Sequence, residues 1–370
     1  VNVAVVGGGP AGSLLAWRLA GEGAAVTLFD HSHPREKPCG GGLTARALDR
    51  LPPAPADDPL PVRHLDRCRF ESGAGDAVEV SLARPVGIAS RRALDGWLLR
   101  RAQSAGARHV AERVARVAPG VVRTTAGRER RFDLVVGADG ASGVVRRTFL
   151  GPLPAARLCI AAGWYARGGS EMVVRFTPGL AGYLWLFPRL DHVGVGICAP
   201  LGAAPTREVI ARLTAEVARS FPALAEEDPP RYAHVIPSPS ADPSSILEAG
   251  GDGFALIGDA AAFADPITGE GLFFALRSAE VLADTLRDGG SPRAYARRAL
   301  EEFGRDLLKS AALRTRFFAP GFSARMIACA RRSAAVRAVL GDLVLGEQDY
   351  RTLKRRLLRA LPAFLWQVAR

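Results

Sequence analysis

The chain opens on a short β-branched run, Val1 to Val6, followed by a glycine-rich stretch from Gly7 to Gly12. Ser13 to Gly23 then spaces its apolar residues at helical intervals, and Ala25 to Phe29 reads as a second strand. Strand, turn, helix and strand in this order predict a βαβ unit with a right-handed crossover. Leu51 to Pro61 mixes proline with aspartate and predicts a loop leaving that unit. Further on, Leu94 to Ala105 has the spacing of an amphipathic helix. Phe132 to Ala138 is, apart from Asp133, an apolar run of buried-strand type that ends in Asp139-Gly140.

The character changes between about Leu153 and Ser245. Alternating runs such as Glu171 to Phe176 and Val193 to Cys198 predict an antiparallel sheet, with one helix near Arg207 to Ser220. Phe254 to Ile257 returns to the buried-strand pattern, a helix follows from Gly271 to Leu286, and beyond Ser291 the chain reads as helical and arginine-rich. The predicted class is α/β (α+β overall), built on a Rossmann-type dinucleotide domain from 1–60, 85–152 and 250–290. An antiparallel-sheet substrate domain (61–84 and 153–249) is inserted into it, and a helical region (291–370) follows.

Composition adjusts this picture in three ways. A chain of 370 residues, 48% hydrophobic, can bury more than one core. It holds no apolar run near the roughly 20 residues that span a bilayer, and no secretory leader is read at its start, so a cytoplasmic protein is expected. The five cysteines are scattered with no CxxC pair, which argues against a disulfide framework, structural zinc or an iron–sulfur cluster. The six histidines show no metal-ligand spacing either. The formal charge of +12 is almost all arginine, lysine occurring only at positions 37, 309 and 354. Two readings stand, a compositional bias or an anionic partner. No nucleic-acid module is present.

The chemistry begins at Gly7, Gly9 and Gly12, a GxGxxG in which Pro10 and Ala11 open the helix. The first glycine permits the tight turn and the second lets backbone amides approach a pyrophosphate. The third allows close helix–strand packing, and the helix N-terminus adds partial positive charge. Asp30 ends the second strand 18 positions after Gly12, where a carboxylate can accept from a ribose hydroxyl.

This motif alone does not separate FAD from NAD. Two distant segments do. Ala255 to Ala261 contains Gly258-Asp259, and Asp265-Pro266-Ile267-Thr268-Gly269-Glu270-Gly271 runs into a helix opening at Leu272. Together they resemble the GD segment of the para-hydroxybenzoate hydroxylase-type FAD superfamily. The resemblance implies FAD, with Asp259 at the ribitol chain and the helix N-terminus facing the flavin pyrimidine. Reduced flavin carries negative charge there, which amides and a helix dipole stabilise. Arg91 resembles the arginine that approaches the FAD pyrophosphate. Gly137 to Arg146 resembles the DG fingerprint, which implies that Asp139 supports the flavin and the approach of a pyridine nucleotide. That fingerprint usually has serine where Gly143 stands, so NAD(P)H as the electron donor is left open beside other reductants.

Arg35-Glu-Lys-Pro-Cys39-Gly40-Gly41-Gly42-Leu43 resembles the KPCGGGL stretch of geranylgeranyl reductases. Gly182-Tyr183-Leu-Trp185-Leu-Phe187-Pro188 with Gly194-Val-Gly196 is similar to their YxWxFP…GxG motif. The resemblance covers most of the chain to about residue 290. It implies reduction of isolated double bonds in prenyl chains by reduced FAD, with Arg35, Cys39, Gly40 and Gly41 at the cofactor. Tyr183, Trp185 and Phe187 alternate on one strand face, where they either line an apolar slot or pack the sheet core. Cys39 either touches substrate or flavin or is an inert thiol. The basic, Leu-, Phe- and Trp-containing segment Tyr350 to Arg370 reads as a membrane-surface helix or as one packed on its own protein. The expected partners are an apolar or lipid substrate and an external electron donor. An FAD monooxygenase or halogenase of the same fold is the alternative activity, and a non-catalytic flavoprotein the third.

Overall fold

The computed structural model describes residues 1–73, 75–225 and 229–368, with side chains described through residue 359. Its first sheet has the strand order Gly250–Gly251, Phe254–Leu256, Leu134–Gly137, Asn2–Val6, Ala25–Phe29, Arg108–Val110. The last five run parallel and only Gly250–Gly251 is antiparallel. Sheets of this kind are covered on both faces, which is why their strands read as continuous apolar runs. Helices Pro10–Gly21, Arg91–Ser104 and Leu272–Arg287 pack together beside it. A three-stranded meander (Val114–Ala118, Val121–Thr124, Glu129–Arg131), not foreseen from the sequence, buries Val114, Val117 and Val122 in the same core.

The second sheet has eight strands. Their order is Tyr232–Pro237, Leu158–Ala166, Val193–Pro200, Tyr183–Pro188, Val173–Phe176, Arg63–Glu71, Ala77–Ile88, Gly42–Leu43. It is mixed rather than purely antiparallel, because Val173–Phe176 pairs parallel with Arg63–Glu71. The two strands come from separate chain segments, so no hairpin turn dictates their relative direction. Ala77–Ile88 continues past residue 84, and Gly42–Leu43 also joins this sheet, so its span is wider than 61–84 and 153–249.

The period-2 alternation sends the two faces of this sheet to different partners. Leu184, Leu186, Val195 and Ile197 pack against Val209, Leu213 and Val217 of helix Thr206–Ser220. The opposite face carries Tyr183, Phe187, Phe70, Val80 and Phe176, and meets helices Phe322–Arg332 and Ala334–Leu345. The chain beyond residue 291 is helical as expected, ending in Tyr350–Val368. The aromatic end of that helix, Phe364 and Trp366, lies outside the residues whose side chains are described.

Candidate active site

Steric demand explains the glycine loop. Gly7 has φ +106°, and a Cβ there would sit 2.3 Å from the Ala138 carbonyl oxygen. At Gly12 a Cβ would lie 1.9 Å from the Gly7 carbonyl oxygen. Gly9 is different, since its nearest neighbours are the guanidinium nitrogens of Arg35 (3.6 Å) and Arg91 (4.0 Å). Helix Pro10–Gly21 starts here with no side-chain cap, leaving its first amides free for an anion. Buried Arg91 is clamped by Asp95 through two bonds of 2.7 and 2.9 Å, and Arg35 lies 3.5 Å from the same carboxylate. Both guanidiniums thus reach Asp95 beside the glycine loop, Arg35 lying also 3.9 Å from Asp30, and they bring to the groove N–H donors suited to a pyrophosphate.

Asp30 accepts from the Gly8 amide (2.7 Å) and from the Ser32 amide (2.8 Å) and hydroxyl (2.5 Å). Burial pushes this carboxyl up, but those bonds and Arg35 outweigh it and hold it below the ordinary range. Asp30 therefore shapes the loop as well as facing the groove.

At the other end Asp259 pairs with Lys37 at 2.9 Å. Burial again pushes the acid up, and Lys37 more than compensates. Lys37 was not singled out from the sequence, although its rarity as one of three lysines is a signal. Asp265 closes its own turn by accepting the amides of Ile267 (2.7 Å) and Thr268 (2.9 Å). Gly269 follows with φ +69°, and a Cβ there would be 2.8 Å from the Tyr183 hydroxyl. Helix Leu272–Arg287 then begins without a side-chain cap at Gly271. Glu270 accepts the Thr44 hydroxyl (2.6 Å) and pairs with Arg46, tying this loop to the segment after Gly42. Burial raises the Asp139 carboxyl to about 6. A Cβ at Gly143 would lie 2.0 Å from its Oδ1, so the missing serine is the space that Asp139 occupies.

The candidate residues read from the sequence line one cavity of ≈810 Å³, with two exceptions. Gly12 packs against the Gly7 carbonyl instead of facing the cavity, and Pro266 is buried inside the turn closed by Asp265. Tyr183, Trp185 and Phe187 all line the cavity. Trp185 also lies flat on the next strand, where a Cβ at Gly196 would be 2.1 Å from its ring. Cys39 lines the cavity and accepts the Gly41 amide on its sulfur at 3.3 Å.

Past these aromatics the same cavity continues as an apolar chamber. Phe70, Val86, Met172, Val174 and Phe176 form its sheet wall, while Phe317, Met326, Leu340, Leu343 and Val344 form its helical wall. Three buried polar atoms of cavity-lining residues, Asp139 Oδ1, Trp185 Nε1 and His234 Nε2, have no hydrogen-bond partner among the described residues. Burial and the nearby Lys37 push His234 down to about 4, so it is neutral at pH 7. Orphaned polar groups of this kind are expected where a ligand belongs. The glycine cradle, the paired arginines, the capless helix at Gly271 and these two nitrogens fit an extended dinucleotide carrying a flat polar ring.

Fold and site together define an FAD-dependent oxidoreductase. Residues 5–47 match the NAD(P)-binding Rossmann-like domain family. Across 77% of the chain it is 28% identical to the geranylgeranyl diphosphate reductase of Synechocystis sp., of which 75% is covered. It is likewise 28% identical to digeranylgeranylglycerophospholipid reductase 1 of Methanopyrus kandleri, over 80% of this chain and 84% of that one. A geranylgeranyl bacteriochlorophyll reductase-like protein from Thermoplasma acidophilum has the same fold, with TM-score 0.77 over 97% of this chain and 98% of that chain at 19% identity. The names of the two sequence relatives, both prenyl reductases, agree with the resemblance carried by the Cys39 and Trp185 segments.

Proposed function

We propose that the protein reduces carbon–carbon double bonds of an isoprenoid or similarly apolar chain, using FAD held between the Gly7–Gly12 loop and the Asp259–Leu272 segment. The observation that carries this reading is the apolar chamber continuous with the cofactor groove. Arg35, Arg91 and the amides after Gly9 would bind the pyrophosphate, Asp30 the ribose, and Lys37 with Asp259 the ribitol region. The amides after Gly271 would face the pyrimidine. When bound and reduced, FAD supplies a hydride. The side chains of this protein supply placement: an unactivated alkene must be held close to the donor in a dry slot. Val174, Phe176, Leu340 and Leu343 exclude water along the chain, and Tyr183, Trp185 and Phe187 form the passage to the groove. The names of the two relatives above, both prenyl reductases, support reduction over oxygenation.

The test is anaerobic. Protein loaded with FAD and reduced by dithionite is incubated with prenyl diphosphates and prenyl lipids, and mass spectrometry is expected to find products heavier by two hydrogens per double bond. Hydroxylated or halogenated product in air, with no saturated product anaerobically, replaces this reading with oxygenation. Turnover sustained by NADPH in place of dithionite assigns the pyridine nucleotide as the donor.

The same reading places the protein at a membrane surface, where such substrates reside. Lys354, Arg355 and Arg359 stand exposed on the last helix beside Leu358, which is 54% exposed. Among the described residues no helix is long and apolar enough to cross a membrane, so contact would be peripheral and partly electrostatic. Co-sedimentation with phosphatidylglycerol vesicles at low salt, reversed by about 0.5 M salt, is the expected result. Absence of binding at low salt removes the membrane from this reading.

A further inference from the structure

The geometry points to Arg189 as a positioning residue that holds the Lys37–Gly42 loop in the shape the cofactor groove requires, acting through Glu36 and the Cys39 carbonyl. This goes beyond the activity proposed above and depends only on the groove. Arg189 directly follows strand Tyr183–Pro188 and is 1% exposed. One arm of its guanidinium donates to Glu36 Oε1 at 2.8 Å, and the other donates to the Cys39 carbonyl at 2.8 Å. The first arm also lies 3.0 Å from His192 Nε2, and the guanidinium stands 4.7 Å from the centre of the Tyr165 ring. His192 in turn faces Asp191 through its other nitrogen, Nδ1, at 2.7 Å.

Glu36 is the other half of the device. Its carboxylate accepts the Arg91 amide (2.9 Å) and the Arg92 amide (3.1 Å), so it caps helix Arg91–Ser104. Burial pushes this carboxyl up, while Arg189 and the two amides bring it below the ordinary range. One acid therefore joins the helix that presents Arg91 to a guanidinium from the eight-stranded sheet. The loop between them contains no regular structure until Gly42 and is fitted closely on both sides. A Cβ at Gly40 would be 2.5 Å from the Phe187 ring, and one at Gly41 (φ +81°) would be 2.1 Å from the Ala89 carbonyl oxygen. Phe187 and Arg189, two positions apart at the end of one interior strand, thus bear on the loop together. Besides the arm on the Cys39 carbonyl, the stretch between Lys37 and Gly40 is held by the Tyr165 hydroxyl, which donates to the Lys37 carbonyl at 3.4 Å, and by the Lys37–Asp259 pair.

The experiment reads the loop directly. In apo-protein, the rate at which iodoacetamide alkylates Cys39 is followed by peptide mass spectrometry, with Cys159 and Cys329 as internal references, and FAD affinity is measured by fluorescence quenching. Arg189→Met is expected to raise the Cys39 rate and to weaken FAD binding, each on the order of tenfold, the size of a modest local opening. The reference cysteines should keep their rates. Arg189→Lys can still pair with Glu36 but lacks the second arm, so it should fall between wild type and Arg189→Met. It also carries the test should the methionine variant fail to fold. Adding Glu36→Gln to Arg189→Met should change the Cys39 rate less than Glu36→Gln does alone, since the two act as one unit. Unchanged Cys39 reactivity and FAD affinity overturn the assignment, as does an equal rise at all three cysteines, which signals general loosening.

Discussion

Gly12→Ala should leave a protein that no longer retains FAD through gel filtration, with affinity lowered on the order of 100-fold. Two opposed effects decide this. Alanine in a helix interior gains roughly 1 kcal/mol over glycine, so propensity alone favours the variant. Against it, the new methyl would sit 1.9 Å from the Gly7 carbonyl oxygen and 3.0 Å from the Ala138 Cβ. The first of these is a backbone atom in a turn that Gly7 itself fixes, so it cannot swing aside. Overpacking of this kind typically costs 1–3 kcal/mol, and it moves the helix start whose free amides face the groove. Gly21 supplies the control. It belongs to the same helix, and a Cβ there meets nothing within 4 Å, so Gly21→Ala should keep FAD and match or exceed wild-type thermal stability. Equal FAD retention in the two variants would sink the steric account. Flavin absorbance at constant protein concentration is the readout.

The contrast between these two glycines marks where the sequence is informative. A GxGxxG is legible because each glycine answers a local demand of backbone conformation or close approach, and the demand is written in adjacent residues. The buried strands Asn2–Val6 and Leu134–Gly137 were legible for a similar reason, being apolar runs apart from Asn2 at the start of the first. Pairings across the chain were not. Lys37 and Asp259 are 222 residues apart, and Arg189 and Glu36 are 153 apart. A single sequence marks each as a charged residue in a loop without saying which opposite charge the fold delivers to it. The parallel join of Val173–Phe176 to Arg63–Glu71 was hidden likewise, since alternation sets the buried face of a strand and not its neighbour. The chamber illustrates both sides. Its aromatic passage at Tyr183, Trp185 and Phe187 follows from period-2 alternation. Its far wall comes from apolar positions on the C-terminal helices, such as Phe317, which follows Arg314 and Arg316 on its helix, and a composition of that kind draws attention to solvent and membrane.

That far wall allows the substrate reading to be separated from the cofactor reading. Leu343→Trp should lower kcat/KM for a prenyl substrate on the order of 100-fold, because displacing a reacting bond by about 1 Å can by itself cost that much. FAD affinity should stay within about twofold of wild type, since Leu343 belongs to helix Ala334–Leu345 and the groove is built from the loops at Gly7, Lys37, Asp139 and Asp259. Volume is the operative quantity. Leu343 lines the chamber, so the indole extends into it, and the opposite side is held by Val174 and Phe176 in a hydrogen-bonded strand. Leu343→Ala works in the other direction, enlarging the chamber and accepting bulkier chains, at a stability cost of about 2 kcal/mol or less because Leu343 is only partly buried. A Leu343→Trp protein that binds FAD normally and still saturates prenyl substrates at the wild-type rate would show that the alkene reaches the flavin by another route. Loss of both FAD and turnover would show that the helical wall supports the groove itself. Measuring cofactor affinity and turnover on the same preparation distinguishes these outcomes.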